Sequence, residues 1–332
     1  MSFKENWGTM MKKTLGSHVL VTGVAGFIGS HLADRLRSLG LSVVGLDDFS
    51  NGYIENLAAL KDDKNFEMLR GNILNVKDLS KACDGADSVI HMAAQSSVAK
   101  STENPMRDFE LNTVGTLNVL ECARKRDIKT VVFASSSTVY GEAALPTLEE
   151  CTLRPISNYG SSKVAAEAYC RSYSSLYGLR TVTLRYFNVY GPRSRKGVMF
   201  DLLQKLQKDD KKLEVLGSGD QTKDYLYISD AVDATLLATL KGKLTGEAYN
   251  VGSGESHTVK ELVKIMLEIL KLSGKTKVFY KGGISWPGDA QKTQADITKL
   301  KQLGFVPKVG FEQGAKAFVE WYQSEYEKII EK

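Results

Sequence analysis

One short segment of this chain carries a phenol and an ammonium group at a spacing suited to acid–base chemistry. Tyr159 and Lys163 stand four residues apart in a stretch with a helical pattern, SNYGSSKVAAEAYCRSYSSLYG. We therefore expect both side chains on one face of a helix. A neighbouring ammonium favours the phenolate. A tyrosine, whose pKa is ordinarily about 10, could then act as a base closer to neutral pH.

A hydroxyl group to accompany this pair comes from three consecutive serines. Ser135, Ser136 and Ser137 follow a β-branched run in the segment TVVFASSSTVYG. A hydroxyl at the end of that predicted strand can donate a hydrogen bond to a substrate oxygen that changes from alcohol to ketone. The residue types alone do not choose among the three serines.

A glycine-rich turn earlier in the chain predicts a dinucleotide site. Gly23, Gly26 and Gly29 are spaced three apart between the first predicted strand and the first helix of the sheet. A pyrophosphate can sit on a helix N-terminus only where the turn is tight and no side chain blocks it. Asp47 closes the second predicted strand, where a carboxylate accepts hydrogen bonds from ribose hydroxyls and repels a 2′-phosphate. The pattern favours NAD over NADP.

The elements that must position these groups alternate between short apolar runs and helical patterns. This alternation is typical of βαβ units and a parallel sheet. We predict a Rossmann-type doubly wound parallel α/β sheet over 18–185, with a smaller C-terminal α/β substrate lobe over 186–332 from which some segments return to the first domain. Residues 1–17 are expected to be a flexible tail. The predicted strands are HVLVT (18–22), SVVGLD (42–47), FEMLRG (66–71), SVIHMA (88–93), TVVFAS (130–135) and RTVTLR (180–185).

In the second lobe one helix is marked clearly. Thr258 and Glu261 form a capping-box pattern before an apolar stripe, and Gly274 is expected to end the helix.

Composition excludes several classes of function. The formal net charge is +5, but basic and acidic residues are interspersed along the chain, so we expect no nucleic-acid partner. The four cysteines form no CxxC pair and are expected to be free thiols in a reducing compartment. The scattered histidines offer no metal site. No apolar run is long enough to span a membrane, and we expect a cytoplasmic protein.

Taken together, these segments resemble the extended short-chain dehydrogenase/reductase family and, within it, the UDP-galactose 4-epimerases. The resemblance covers about residues 17 to 325. It rests on these segments: TGVAGFIGSHL (22–32), LDDFSNG (46–52), VIHMAAQSSV (89–98), LNTVGTLNVL (111–120), ASSSTVYGE (134–142), YGSSK (159–163), LRYFNVYGPR (184–193), GSGDQTKDYLYISDAV (217–232), YNVGSGE (249–255) and PGDAQKTQADITK (287–299).

The resemblance implies a role for each matching residue. Ser136 is the implied catalytic hydroxyl, Tyr159 the base, and Lys163 the residue that lowers the pKa of the base. Asn188, Lys223 and Thr293 are implied substrate residues, together with Ser136 and Tyr159. The implied NAD contacts are Gly23, Gly26, Phe27, Ile28, Gly29, Asp47, Asn51, Asn72, Ile73, Ala93, Asn112, Tyr159, Lys163 and Phe187.

The implied activity is NAD-dependent 4-epimerisation of a UDP-hexose through a transient 4-keto sugar, in a homodimer built on helices around 105–126 and 159–177. The related 4,6-dehydratases carry an Asp-Glu pair where this chain has Ser137 and Thr138, and the nucleotide-glucuronate decarboxylases carry Glu at the second position. Both reactions are disfavoured. The alternatives that remain are another sugar-nucleotide oxidoreductase or epimerase, for example on UDP-glucuronate, and a non-catalytic NAD-binding regulator.

Departures from the family pattern concern the sugar nucleotide. Lys223 stands where an Arg is usual, and Trp286 replaces a second Arg. Lys281 or Arg193 is expected to substitute for it, with UDP the favoured nucleotide. Thr293 stands where strict galactose epimerases often have Tyr, which predicts room for a 2-acetamido group and activity on UDP-GlcNAc and UDP-GalNAc as well as UDP-Glc and UDP-Gal.

Overall fold

A parallel sheet forms the frame of the protein in the computed structural model, which describes residues 3–283 and 288–330. The thirteen strands named for this part of the chain are β1 (His18–Thr22), β2 (Ser42–Asp47), β3 (Phe66–Arg70), β4 (Ser88–His91), β5 (Thr130–Ser136), β6 (Arg180–Tyr186), β7 (Asn188–Tyr190), β8 (Lys212–Val215), β9 (Thr222–Lys223), β10 (Tyr225–Tyr227), β11 (Thr245–Val251), β12 (His257–Thr258) and β13 (Lys277–Tyr280).

Helices cover both faces of this sheet and build the second lobe. The α-helices are α1 (Phe3–Leu15), α2 (Phe27–Ser38), α3 (Val76–Ala82), α4 (Val98–Glu103), α5 (Pro105–Phe109), α6 (Gly115–Lys125), α7 (Asn158–Tyr177), α8 (Val198–Lys208), α9 (Ile228–Lys241), α10 (Val259–Ile269), α11 (Thr298–Gln302) and α12 (Phe311–Ile330). Two 3₁₀ segments (Ile54–Leu60 and Ser137–Val139) and a π-helical turn (Glu110–Val114) lie between them.

The main sheet has seven strands in the order β11-β6-β5-β4-β1-β2-β3, and every neighbouring pair is parallel. Strands such as β1 and β5 are apolar along nearly their whole length because helices bury them on both faces. The predicted fold class is confirmed. All carboxyl ends of these strands lie at one edge of the sheet, where ligands bind in open α/β folds.

The second lobe is built after Tyr186 from three two-stranded sheets, β7 with β10, β9 with β12, and β8 with β13. Its own apolar core joins α8, α10 and α12 through side chains such as Leu203, Leu262 and Phe318. The chain also returns to the first domain, because β11 pairs with β6 and α9 packs on α2.

The N-terminal segment differs from the flexible tail that the sequence suggested. Residues Phe3–Leu15 form α1, and the side chains of Met11 and Leu15 are fully buried. Gly8 lies so close to the carbonyl of Leu39 that an added Cβ would sit 2.7 Å from that oxygen. The segment is ordered by tertiary packing, including contacts with α9, which a short stretch of mixed residues does not reveal in the sequence.

The capping box of α10 is present, with Thr258 accepting from the Glu261 amide at 3.0 Å and Glu261 accepting from the Thr258 amide at 2.8 Å. The helix ends at Ile269, earlier than predicted, and Gly274 lies in the following turn at φ +73°. No helix in the described ranges is both long and apolar enough to cross a lipid bilayer.

Candidate active site

The N-terminus of α7 places the Tyr159–Lys163 pair against the carboxyl end of β5. Ser157 caps the helix, since its Oγ accepts a hydrogen bond from the Gly160 amide at 3.1 Å. Lys163 is buried, and its Nζ donates to the Ala134 carbonyl at 2.9 Å. The same Nζ lies 5.9 Å from the centre of the Tyr159 ring. The predicted i, i+4 arrangement therefore holds both side chains over one strand end.

Of the three consecutive serines, Ser136 faces the phenol. Its hydroxyl lowers the pKa of the Tyr159 phenol, and its Oγ accepts from the Thr138 hydroxyl at 3.0 Å. The Ser135 hydroxyl instead donates a hydrogen bond to the Glu167 carboxylate, and Ser137 begins a 3₁₀ turn. The alternation of side chains along the strand separates these surroundings, and of the three hydroxyls Ser136 acts on the Tyr159 phenol.

The charges of the chain itself do not make Tyr159 a base at neutral pH. Burial raises the pKa of Tyr159 to about 12, with the Ser136 hydrogen bond opposing and the negative charge of Asp108 adding to the effect. Burial lowers the pKa of Lys163 to about 8, and Asp108 opposes that change. The lowered pKa that the sequence predicts for the phenol is therefore not found in the chain without its cofactor, because burial is the largest cause acting on Tyr159.

The glycine turn between β1 and α2 fits a dinucleotide. Gly23 has φ +69°, and its carbonyl accepts from the Gly26 amide at 3.1 Å. A Cβ on Gly29 would lie 2.2 Å from the Gly23 oxygen, so this turn excludes side chains. The first amides of α2 consequently face the open edge of the sheet, as pyrophosphate binding requires.

Asp47 lies beside this turn, and its carboxylate is fixed by two backbone amides. One oxygen accepts from the Ala25 amide at 2.9 Å and the other from the Phe49 amide at 2.8 Å. Each carboxylate oxygen keeps a second lone pair for a ribose hydroxyl. Burial raises the pKa of Asp47 from its usual value, and the residues at this position fit the adenosine ribose of NAD.

A single continuous cleft of about 890 Å³ runs from the glycine turn past Lys163 to the second lobe. This volume lies within the usual range for ligand sites. The sequence-predicted site residues that line it are Gly23, Gly26, Phe27, Ile28, Gly29, Asp47, Asn51, Asn72, Ile73, Ala93, Ser136, Tyr159, Lys163, Phe187, Asn188 and Lys223.

Two residues predicted to contact ligands, Asn112 and Thr293, do not line the cleft and lie behind its wall. Asn112 is buried in the π-helical turn, where its amide accepts from the Gln95 amide at 2.9 Å and donates to Ser162 at 3.2 Å. Through these hydrogen bonds, Asn112 connects the loop after β4 to α7. Thr293 is half-buried, with its hydroxyl accepting from the Asn188 amide at 3.4 Å and the Asp224 amide at 3.3 Å.

The cations predicted to hold a diphosphate are arranged differently from expectation. Lys223 lines the cleft, but its Nζ is bonded to Asp289 at 2.7 Å, so its charge is already neutralised. Arg193 lines the cleft and pairs with Asp34 at 2.8 Å. Lys281 pairs with Glu214 at 3.2 Å and does not line the described cleft. Trp286 lies outside the described residues. Of the two residues suggested to replace the missing arginine, Arg193 is the better placed because it lines the cleft.

Sequence reasoning missed a group of cations at the mouth of the cleft. Lys100, Arg195 and Lys196 line it together with Asn51, whose side-chain oxygen accepts from Lys196 at 2.9 Å. Arg195 lies over the Tyr53 ring at 4.0 Å, and its Nε is buried without a hydrogen-bond partner in the part of the chain that the structure describes. The only sequence signal was the short basic run after Pro192.

Several known proteins are similar to this chain in sequence and in fold. A putative UDP-glucose 4-epimerase of Methanocaldococcus jannaschii is 37% identical over 92% of this chain and 98% of its own length. A UDP-N-acetylglucosamine 4-epimerase from Methanobrevibacter ruminantium, solved with UDP-N-acetylmuramic acid, has a TM-score of 0.85 at 32% identity and covers 93% of this chain and 99% of its own.

A second solved structure is that of a UDP-glucuronic acid 4-epimerase from Bacillus cereus, in complex with UDP-glucuronic acid and NAD. It has a TM-score of 0.86 at 32% identity and covers 93% of this chain and 100% of its own. The profile of the NAD dependent epimerase/dehydratase family matches residues 19–252. These findings confirm the resemblance found in the sequence and NAD as the cofactor. The chain belongs to the NAD dependent epimerase/dehydratase family.

Proposed function

We propose that this protein is a UDP-hexose 4-epimerase that works through a transient 4-keto sugar. The observation that supports this most strongly is the Ser136, Tyr159 and Lys163 set in the middle of one cleft, between a dinucleotide turn and a second lobe. A non-catalytic NAD-binding regulator would have no use for such a set.

NAD, when bound, supplies a hydride acceptor and donor and a positive charge beside the phenol. Tyr159 takes the proton of the sugar C4 hydroxyl and returns it to the epimeric product. Ser136 donates a hydrogen bond to the same oxygen as it becomes a carbonyl, and Lys163 favours the phenolate. Lys163 is held for this by the Ala134 carbonyl.

Two related reactions lack their acid–base groups at this site. Elimination of water from the sugar needs a carboxylic acid and a base next to the catalytic hydroxyl. Ser137 and Thr138 stand there, and the Thr138 hydroxyl donates to Ser136 at 3.0 Å. This supports epimerisation over dehydration or decarboxylation.

For the sugar itself we propose UDP-Glc and UDP-Gal, with UDP-GlcNAc and UDP-GalNAc also accepted. Thr293 touches Asn188 from behind the wall of the cleft, so a much larger ring at position 293 would extend past Asn188 toward the substrate. Thr293→Tyr is expected to reduce kcat/KM for the acetamido sugars by about tenfold more than for the hydroxyl sugars.

The measurement is kcat/KM for all four UDP-sugars, with Thr293→Ser as the control that keeps the hydroxyl. An equal loss on both pairs of substrates in the tyrosine variant would show that Thr293 only packs.

A second candidate substrate is UDP-glucuronate. The similarity to the UDP-glucuronic acid 4-epimerase of Bacillus cereus, at 32% identity and a TM-score of 0.86, favours it.

The experiment that tests the function mixes the purified protein, with no NAD added, separately with UDP-Gal, UDP-GalNAc and UDP-galacturonate and follows the anomeric protons by NMR. Conversion to the gluco epimers supports an epimerase that retains its NAD, and the rates rank the sugars. Tyr159→Phe should abolish conversion. If no sugar is converted after NAD is supplied, the proposal fails in favour of another nucleotide carrier or a net oxidoreductase.

A further inference from the structure

A buried carboxylate lies behind the Tyr159–Lys163 pair and is not explained by the reaction as described so far. Asp108 is on α5, the short helix that Pro105 opens, and only 1% of the residue is exposed. Buried carboxylates are rare unless they are paired or serve the chemistry of a site.

Hydrogen bonds hold Asp108 rigidly in place. Its Oδ1 accepts from the side-chain amides of Gln95 at 2.8 Å and Asn112 at 3.0 Å. Asn112 also donates to the Ser162 hydroxyl at 3.2 Å, and Ser162 donates to the Tyr159 carbonyl at 2.9 Å. The carboxylate is thereby tied to the helical turn that carries both Tyr159 and Lys163.

Only one of the two oxygens is used in this network. Asp108 Oδ2 is buried and has no hydrogen-bond partner among the residues that the structure describes. Burial raises the pKa of Asp108 from its usual value, and the charge of the ionised group acts on Lys163 and on Tyr159. A structural role alone would need only the Oδ1 acceptor, which an asparagine also provides.

We propose that Asp108 is a positioning residue whose negative charge sets the pH range in which Tyr159 and Lys163 work. This inference rests on the proposed function, in which Tyr159 must lose a proton and Lys163 must keep one.

The direction of the effect follows from the two pKa values. Asp108 raises the pKa of Tyr159 and also that of Lys163. In the NAD-bound enzyme, where the charge of the cofactor favours the phenolate, activity rises with pH as Tyr159 loses its proton and falls as Lys163 loses its own. Without the charge of Asp108, both limbs of the pH profile therefore move toward acid, and the whole range shifts rather than narrowing.

Other charged groups around the site do not change this sign. Glu167 lies on α7, as Lys163 does. It raises the pKa of Lys163, but it is paired with Arg185 at 2.7 Å. His91 on β4 is neutral, since burial lowers its pKa to about 3. On α4, which packs against α5, the charged residues Lys100 and Glu103 are exposed.

The test is the pH profile of kcat for Asp108→Asn in the NAD-loaded enzyme. This variant keeps the Oδ1 acceptor and removes the charge. We expect both limbs to shift toward acid by about one pH unit. Glu110→Gln, two residues away on the exposed side of the same segment, is the matched control and should leave the profile in place. A lower rate with unshifted limbs would overturn the proposal, because loosened packing alone gives that result.

A second measurement does not depend on turnover. The phenolate absorbance of Tyr159 can be titrated in the NAD-bound protein as the difference from Tyr159→Phe, with and without Asp108→Asn. The proposal requires a lower midpoint in the Asp108→Asn background, and an unchanged midpoint would refute it. Because no sugar is present, this result stands even if the substrate assignment fails. If Asp108→Asn does not fold, Asp108→Ser is titrated in its place.

Discussion

At the scale of single residues, the proposed reaction depends on the phenol of Tyr159. The chain's own groups raise its pKa to about 12, although Lys163 lies 5.9 Å from the ring centre. Burial is the largest cause of this rise, and the Ser136 hydroxyl opposes it. In the proposed reaction, the positive charge of oxidised NAD would favour the phenolate.

Asp47 is the residue that should decide how well that cofactor is retained. Its carboxylate is oriented by the Ala25 and Phe49 amides and lines the cleft beside the glycine turn. Asp47→Arg removes the acceptor for the ribose hydroxyls and is expected to weaken NAD binding by about tenfold or more.

The affinity is measured by calorimetric titration of the stripped protein. Asp62→Arg, an equal change of charge at an exposed position, serves as the control and should bind NAD normally. If Asp47→Arg binds NAD as tightly as the unmodified chain, the assignment of Asp47 to the ribose is wrong.

At the scale of elements, a buried ion pair fixes α7 against the sheet. Glu167, one turn after Lys163, accepts from the Arg185 guanidinium of β6 at 2.7 Å and from the Ser135 hydroxyl of β5. Arg185 also donates to the Tyr140 hydroxyl at 2.9 Å. Because the pair joins α7 to both strands, it holds the register of the helix that carries Tyr159 and Lys163.

Breaking this pair should be costly. Glu167→Gln leaves the Arg185 charge buried without its counter-ion, and we expect the free energy of unfolding to fall by about 3 kcal/mol or more. Urea unfolding followed by circular dichroism measures the loss. Asp84→Asn, which breaks an exposed pair with Arg126, should cost less than about 1 kcal/mol. Comparable losses in the two variants would mean that the buried pair does not anchor α7.

Elements could be predicted from sequence where the signal is local. The strands of the main sheet are continuous apolar runs, and β1 and β2 have the predicted bounds. The first helix was missed because its order depends on burial of Met11 and Leu15 against distant parts of the chain. The strand β11 was also missed, since it follows a long excursion through the second lobe before it pairs with β6.

At the scale of the whole molecule, the site also divides into residues that lie within one motif and residues that distant segments bring together. The glycine turn, Asp47 and the Tyr159–Lys163 pair each lie within one short motif, so spacing alone predicts them. The pairing of Lys223 with Asp289 joins positions 66 residues apart, and the cations near Arg195 meet Asn51 and Tyr53 only through the fold. Sequence therefore predicts the cofactor half of the cleft better than the substrate half.

The exposed side of α7 indicates how two copies of the protein would associate. Positions that recur at helical spacing along this face carry no charge, although the helix is twenty residues long. Leu176 is 69% exposed and Tyr169 is 41% exposed, and on the neighbouring α5 Met106 and Phe109 are also exposed. The uncharged positions of the α7 face are Ser161, Ala165, Ala168, Tyr169, Ser172 and Leu176. An uncharged helix face with exposed large apolar groups is typical of an interface.

We therefore expect a homodimer that packs through α7 and its neighbours, and a charge on this face should disrupt it. Leu176→Glu would bury a carboxylate without a partner at the interface, so the variant is expected to sediment as a monomer at concentrations where the unmodified chain is dimeric. Val306→Glu makes the same kind of change at another apolar side chain that is 66% exposed and should leave the dimer intact. Sedimentation velocity distinguishes the cases: a dimer that persists in Leu176→Glu, or is lost equally in Val306→Glu, would place the interface elsewhere.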